Sequence, residues 1–426
     1  MKPVEAVIVG AGQRGTDVGG VFALQNPDKL KFIAVAELDD FKRNYFGDKH
    51  NIPADKRFKS YEDLLAQLQM APLCFNFTMD KVHLPSSLAI MDKGYHLFLE
   101  KPMAVTPEDC MKIQAKAVKK SLMVHICHPL RYTPVYMMIK GLIKEGKIGK
   151  IISFSMTENV AYWHYAHSFV RGNWGVQDKC GPFILTKCCH DMDMAVWLAD
   201  EKVKNVSSVG NLYFFKEENA PEGAPERCTD GCPVESTCPF NAITTYVEGI
   251  HEWPLSVITS DPTPDGRLEA LKKGPYGRCV FRTDNDITDH QIVCVEFESG
   301  VSLDFVVRAN TYHPYRSTRI IGTEGELNSH MEKTNITIDR FQQGIYKAHL
   351  QERYNPDLPS GTHGGGDSGA INNFLRCYKE DDFDSIYKSL DIAVEGHLLA
   401  FAAEKARVTS SVVKMDEFKE SINRTS

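Results

Sequence analysis

The apolar positions of the first 125 residues fall into five short runs, VEAVIVGAG from position 4, KFIAVAEL from 31, LCFNFT from 73, HLFLEKP from 96 and SLMVHIC from 121. Each is short, and β-branched or aromatic residues recur among them, which reads as strand. Between them, YEDLLAQLQ and PEDCMKIQAKAVKK carry apolar residues three and four apart, the spacing of one helix face. Strand and helix in alternation predict a doubly wound parallel sheet of the Rossmann type over residues 1–125.

Beyond residue 126 the strand candidates lengthen and become more polar, at IISFSMTENVAY, QIVCVEFESGVSLDFVVRA and STRIIGTEGEL. The alternation in VCVEFESGVSLDFVV predicts a half-buried antiparallel pair turning at Ser299-Gly300. Helical spacing recurs at CCHDMDMAVWLA and SIYKSLDIAVEGHLLAFAAEKAR. Residues 126–426 are therefore expected to form an α+β domain with an open, mainly antiparallel sheet. Within it, about 216–290 is poor in periodicity and rich in Pro, Gly, Cys and charge, which marks an insertion.

Length agrees with this division, since 426 residues exceed what one hydrophobic core serves, and two domains create a cleft for a small molecule. The 49 Lys and Arg against 56 Asp and Glu give a net charge of −7 without a basic block, so a nucleic-acid partner is not expected. No apolar run reaches membrane-spanning length, and the start MKPVEAVIVGAG lacks the pattern of a secretory leader. The expectation is a cytoplasmic protein with no membrane partner. Twelve cysteines are too dilute for a disulfide scaffold.

Gly10-Ala11-Gly12-Gln13-Arg14-Gly15 follows the first apolar run and precedes a helical segment. In a GxGxxG turn so placed, the first two glycines admit a tight turn and a pyrophosphate, and the third lets helix and strand pack. Glu37 closes the next run, where a carboxylate binds the adenosine ribose and repels a 2′-phosphate, favouring NAD over NADP. A glycine turn in an α/β protein without a dinucleotide is the plainer alternative.

Glu100-Lys101-Pro102 ends the fifth strand candidate, at the carboxyl edge of the sheet where ligands bind in such folds. A lysine beside a nicotinamide can relay the proton of a substrate hydroxyl as hydride leaves the adjacent carbon. Taken alone, the tripeptide also suits a surface turn.

With GAGQRG, the segment Thr78-Met79-Asp80-Lys81-Val82-His83, EKP and HPLRYTP at 128–134 in order, the chain resembles the Gfo/Idh/MocA oxidoreductases over nearly its whole length. The resemblance implies cofactor contacts from Gln13, Arg14, Thr78, Asp80, His83 and Glu100, and a catalytic Lys101 touching both nicotinamide ribose and substrate. It implies a catalytic His190 as well. Four residues earlier the family pattern has an aspartate, and this chain has Thr186. On one helix the two would share a face. A homodimer or homotetramer is implied through the outer face of the second sheet.

Tyr162 and His164, in the aromatic stretch after IISFSM, are candidate contacts for a sugar ring, as is Thr186. They equally suit a packed hinge. Cys228, Cys232 and Cys238 are candidate ligands of a structural zinc, with Cys279 or a histidine as the fourth, or simply thiols buried in a loop. HGGGD at His363–Asp367 is a turn near the cleft or a structural one.

The resulting expectation is an NAD-dependent dehydrogenase acting on a hydroxyl-bearing carbon of a sugar, cyclitol or related derivative. A redox-neutral glycoside hydrolase working by oxidation and elimination, and a non-catalytic NAD-binding sensor, are the alternatives.

Overall fold

The computed structural model describes residues 2–250, 252–344, 351–359 and 362–425. Its first sheet contains β1 (Val4–Val9), β2 (Leu30–Ala36), β3 (Arg57–Phe58), β4 (Leu73–Asn76), β5 (His96–Leu99) and β6 (Val124–Ile126), all parallel, in the order β3-β2-β1-β4-β5-β6. The strand order reverses between β1 and β4, and there the crevice of a doubly wound fold opens. Gly10, Glu37, Phe77 and Glu100 directly follow the ends of β1, β2, β4 and β5 or lie one residue beyond, so the sequence motifs meet at one edge. Side-chain caps start the covering helices: Ser60 accepts from the Asp63 amide before Tyr61–Ala66, and Thr106 from the Asp109 amide before Pro107–Lys120.

The second sheet has nine strands, β7 (Ile151–Ala161), β8 (Val203–Asn211), β9 (His290–Phe297), β10 (Ser302–Thr311), β11 (Tyr315–Gly322), β12 (Gly325–His330), β13 (Asn335–Arg340), β14 (Gln351–Tyr354) and β15 (Val413–Lys414). Among the described residues only β7 and β10 pair in parallel in this sheet; its other ladders are antiparallel. The expected hairpin is β9–β10, with Val293 opposite Phe305 and Val295 opposite Leu303. These four side chains are buried, as alternation requires, while Cys294 on the other face is exposed. The helices Cys189–Ala199 and Phe383–Thr409 supply the apolar cover of the inner face.

Two connections bear on the site. The helix Gly366–Glu380 returns from the far end of the chain to the first sheet, where Phe374 packs at 6.1 Å from Phe75 and 5.8 Å from Phe98. The core of the first sheet is thus closed by a segment outside 1–125. The insertion is the link between the adjacent strands β8 and β9, and its short helices Ala242–Tyr246 and Pro264–Lys273 gather around Cys228, Tyr246 and Leu271. Among the described residues no helix is long and apolar enough to cross a membrane.

Candidate active site

The glycine turn is shaped by contacts that leave no room for side chains. A Cβ on Gly10, at φ +84°, would lie 2.5 Å from the Phe77 carbonyl oxygen, and one on Gly15 would lie 2.1 Å from that of Gly10. At Gly12 nothing stands within 4 Å of such an atom, so the turn is open where a pyrophosphate would approach. The following helix runs over 13–25 with a π segment at Gly15–Gly20. Glu37 is fixed by two amides, Ala11 donating at 2.7 Å to one carboxylate oxygen and Asp39 at 3.0 Å to the other. Arg43, the nearest arginine in sequence, is buried and donates to the Glu37 carbonyl at 2.7 Å while pairing with Asp40. No free cation from it serves a 2′-phosphate. Gln13 is exposed, beside Asp17.

Arg14 does more than line the turn. Its guanidinium donates to Glu100 at 3.1 Å and to Asp367 at 2.7 Å, linking the first βα turn, the end of β5 and the helix Gly366–Glu380. Asp367 also pairs at 2.8 Å with Nδ1 of His363. Burial would push the Asp367 carboxyl up, but Arg14 and His363 beside it hold it well below the usual range. Among the described residues, the second oxygen of Glu100, Oε1, is buried without a partner. Such an orphaned acceptor at the cleft edge suits a donor from a ligand.

The loop after β4 is braced rather than open. His83 is fully buried with Nδ1 2.6 Å from the Pro102 carbonyl and Nε2 2.9 Å from that of Thr78, so it joins this loop to the Glu100–Pro102 turn instead of reaching into the cleft. Thr78 donates to Asn76 at 2.8 Å. Asp80 accepts from the Trp174 indole at 2.9 Å; burial raises its carboxyl despite His83 and Lys101 nearby.

Lys101 lies partly exposed, its peptide to Pro102 cis, and its ammonium donates at 2.9 Å to the Thr186 carbonyl. The shared helix face expected for Thr186 and His190 is not found: a short helix Phe183–Thr186 ends, residues 187 and 188 turn, and a new helix begins at Cys189. The i,i+4 relation presumes an unbroken helix, and the break instead aims the Thr186 backbone at Lys101. The Thr186 hydroxyl bonds its own turn, donating to the Pro182 carbonyl at 3.3 Å.

His190 lies between His128 and His363, with ring centroids 5.8 and 5.5 Å away. Burial, then the positive charge of Lys101, lowers its basicity well below the ordinary histidine value, so the ring is held neutral. Asp191 and Asp193, its neighbours in sequence, are committed elsewhere, to Arg316 at 2.8 Å and to Arg131 at 2.6 Å. Lys187 pairs with Glu158 at 3.0 Å.

His164 is also held neutral by burial and then by Lys187, and its ring packs 5.0 Å from that of Trp253, a residue of the insertion. Tyr162 is half-buried against Phe240 and Tyr312 at 5.9 and 6.4 Å. In the insertion, Cys228, Cys232 and Cys238 border one cavity with Cys279, all four as free thiols. Among the described residues no three or more His, Cys, Asp or Glu side chains are assembled into a ligand shell. The described structure therefore does not show the zinc site expected at Cys228, Cys232 and Cys238, because sharing a cavity wall does not by itself point the sulfurs at a common centre.

His363 and Asp367, whose HGGGD turn the sequence left open between a place near the cleft and a structural role, were not assigned a site role there. Their signal was the HGGGD turn, where His363 takes a left-handed backbone, φ +49°, uncommon for a residue with a side chain.

Comparison with known proteins gives family matches over both parts of the chain. Residues 4–128 match an oxidoreductase family described as an NAD-binding Rossmann fold, and residues 140–391 match the C-terminal alpha/beta domain of the same GFO_IDH_MocA oxidoreductases. An oxidoreductase of Bacillus subtilis (strain 168), YteT, is 26% identical over 304 residues, 68% of each chain. Inositol 2-dehydrogenase of Salmonella typhimurium is 28% identical over 218 residues, 51% of this chain and 59% of the relative. In fold, the chain is similar to scyllo-inositol dehydrogenase from Lactobacillus casei with bound NAD(H) and scyllo-inositol, with a TM-score of 0.66, 16% identity and coverage of 97% and 100%. Levoglucosan dehydrogenase in complex with NADH and L-sorbose gives a TM-score of 0.69 at 16% identity, with coverage of 97% and 99%.

Proposed function

Because the chain belongs to the Gfo/Idh/MocA oxidoreductases, NAD(P)-dependent dehydrogenases with a Rossmann domain, we propose that it uses NAD to oxidise a secondary hydroxyl of a cyclitol or sugar, or catalyses the reverse reduction. The observation that carries this reading is the convergence of Lys101, neutral His190 and the His363–Asp367 pair around one cleft edge at the end of β5. The substrate class is supported by the inositol and levoglucosan dehydrogenases among the similar proteins.

When bound, NAD supplies the hydride acceptor. The residues present fit it: the turn is open at Gly12, the Glu37 carboxylate at the end of β2 is oriented by Ala11 and Asp39, and among the described residues Glu100 Oε1 lacks a donor. Lys101 donates to the substrate oxygen and holds it. Its present acceptor, the Thr186 carbonyl, keeps the ammonium in place before substrate arrives. His190 takes the hydroxyl proton as the carbon–oxygen double bond forms. His363, held by Asp367, stands beside it and passes the proton towards solvent. The pair thus supplies near the substrate the carboxylate that Thr186 cannot.

Tyr162 and His164 line the substrate side in this reading, and association as a dimer or tetramer uses the outer face of the second sheet, where Val209 and Ile292 are paired and exposed. Light scattering of the purified chain checks the assembly.

The test of the activity is a panel of inositols, aldoses, anhydro sugars and aryl glycosides, incubated with NAD or NADP while reduced nucleotide and freed aglycone are both recorded. Reduced nucleotide with an inositol or sugar is expected, with NAD preferred. Aglycone release without reduced nucleotide, or no response from any member, would reject the dehydrogenase reading.

A further inference from the structure

Arg171, at the end of the π segment Ala166–Arg171, is buried in the second domain and reaches into the insertion. Its guanidinium donates to the Arg278 carbonyl at 2.7 Å and the Phe240 carbonyl at 2.7 Å, and lies 3.6 Å from the sulfur of Cys228. Among the described residues its hydrogen-bond partners are these two carbonyls and the sulfur, with no carboxylate among them. A cation sealed from water without an anion is costly, which leaves the nearby sulfurs as the groups able to balance it, provided they are thiolates.

The backbone brings those sulfurs together. Arg227 and Arg278 form an antiparallel bridge, flanked by Cys228 donating to the Gly277 carbonyl at 2.9 Å and Cys279 donating to that of Glu226 at 2.9 Å. Side chains alternate along an extended chain, so Cys228 and Cys279 share the face opposite the two arginines. Cys232 and Cys238 are joined by a compact turn in which the Glu235 amide donates to the Cys232 carbonyl at 3.1 Å. All four border the same cavity. A neighbouring cation such as the Arg171 guanidinium is a surrounding that supports thiolate ligands.

We propose that Cys228, Cys232, Cys238 and Cys279 form a tetrahedral thiolate site for a divalent zinc-class ion, balanced by Arg171 and fastening the insertion to the second domain. The free thiols turn into their shared cavity, each gives its proton to solvent, and four sulfur–metal bonds form. The doubly negative complex is partly offset by the guanidinium. A small, loop-rich segment with a four-residue buried cluster gains a fixed fold in this way.

The test is metal analysis of the full chain, purified under reductant, as isolated and after addition of zinc or cobalt(II) alone. About one ion per chain is expected, with the intense near-ultraviolet sulfur-to-cobalt absorption of a tetrahedral thiolate site. Cys228→Ser and Cys279→Ser should each lower the bound metal at least ~10-fold, whereas Cys294→Ser, on the exposed face of β9, should retain it. A second readout avoids dependence on folded variants: in the unaltered chain, zinc should protect these thiols from alkylation, as mapped by mass spectrometry, and a chelator should expose the insertion to protease. No metal uptake after reduction, disulfides among the four cysteines, or wild-type metal content in both variants would overturn the proposal.

Discussion

Lys101, Glu37 and Asp367 act through short polar contacts, and their predicted effects separate binding from chemistry. Lys101→Ala should lower turnover by roughly 10²–10⁴-fold while NADH binding, followed by fluorescence, changes little, because the proposal assigns the hold on the nucleotide to the glycine turn and Glu37. Glu37→Ser should weaken NAD binding by about tenfold or more and narrow the preference over NADP, since it removes the carboxylate that repels a 2′-phosphate. Asp367→Asn should reduce kcat more than KM and alter the pH profile, because it removes the partner of His363 and leaves Arg14 with Glu100 alone. An unchanged pH profile would assign Asp367 to structure only. That Glu100 and Lys101 directly follow a strand was legible in the sequence, because motif and strand end coincide. The His363–Asp367 pair was not, since nothing local to HGGGD says that Arg14, more than 300 residues earlier, meets it.

Among the elements, periodicity predicted well wherever one face is buried continuously, as in β9–β10 and the helix Phe383–Thr409. It failed at residues 183–199, where the spacing of Thr186 and His190 suited one helix but the chain turns at 187–188. The first turn makes a sharper prediction. Gly15→Ala places a Cβ against the Gly10 carbonyl at 2.1 Å, in backbone that cannot swing aside, so both stability and nucleotide affinity should fall, by roughly 1–3 kcal/mol in chemical denaturation.

A pH effect belongs to the helix Phe383–Thr409 as well. His397 accepts the Met103 amide at 2.8 Å through Nε2 and donates to the Ala393 carbonyl at 2.7 Å through Nδ1, a neutral tautomer; burial lowers its pKa to about 4. In the unfolded chain a histidine titrates near ~6.5, so between these values the unfolded state binds the extra proton and stability falls as pH drops. Thermal unfolding from pH 7 to 4 should therefore show a declining midpoint, and His397→Gln should flatten the decline. Because Met103 closes the Lys101 turn, activity should weaken over the same range.

At the scale of the whole molecule, the two domains are less separate than the alternation of pattern suggests. The helix Gly366–Glu380 lies beyond 365 residues of chain, yet Phe374 packs on Phe75 and Phe98 of the first sheet. That packing sets Asp367 against Arg14, so the fold's closure and the assembly of the site are one event. Composition could not reveal this, because an amphipathic helix does not state which sheet it covers. The insertion was legible as an insertion but not in its contacts: Trp253 against His164, and Arg171 among the cysteines, are long-range meetings.

The central claim is that hydride passes directly between a hydroxyl-bearing carbon and NAD at the Lys101 edge of the first sheet. The most direct measurement is the mass of the nicotinamide product formed from carbon-deuterated inositols and sugars in ordinary water. The account predicts NADH carrying one deuterium, formed by the unaltered chain and lost with Lys101→Ala. NADH without deuterium, or substrate conversion that leaves NAD unreduced throughout, would contradict it.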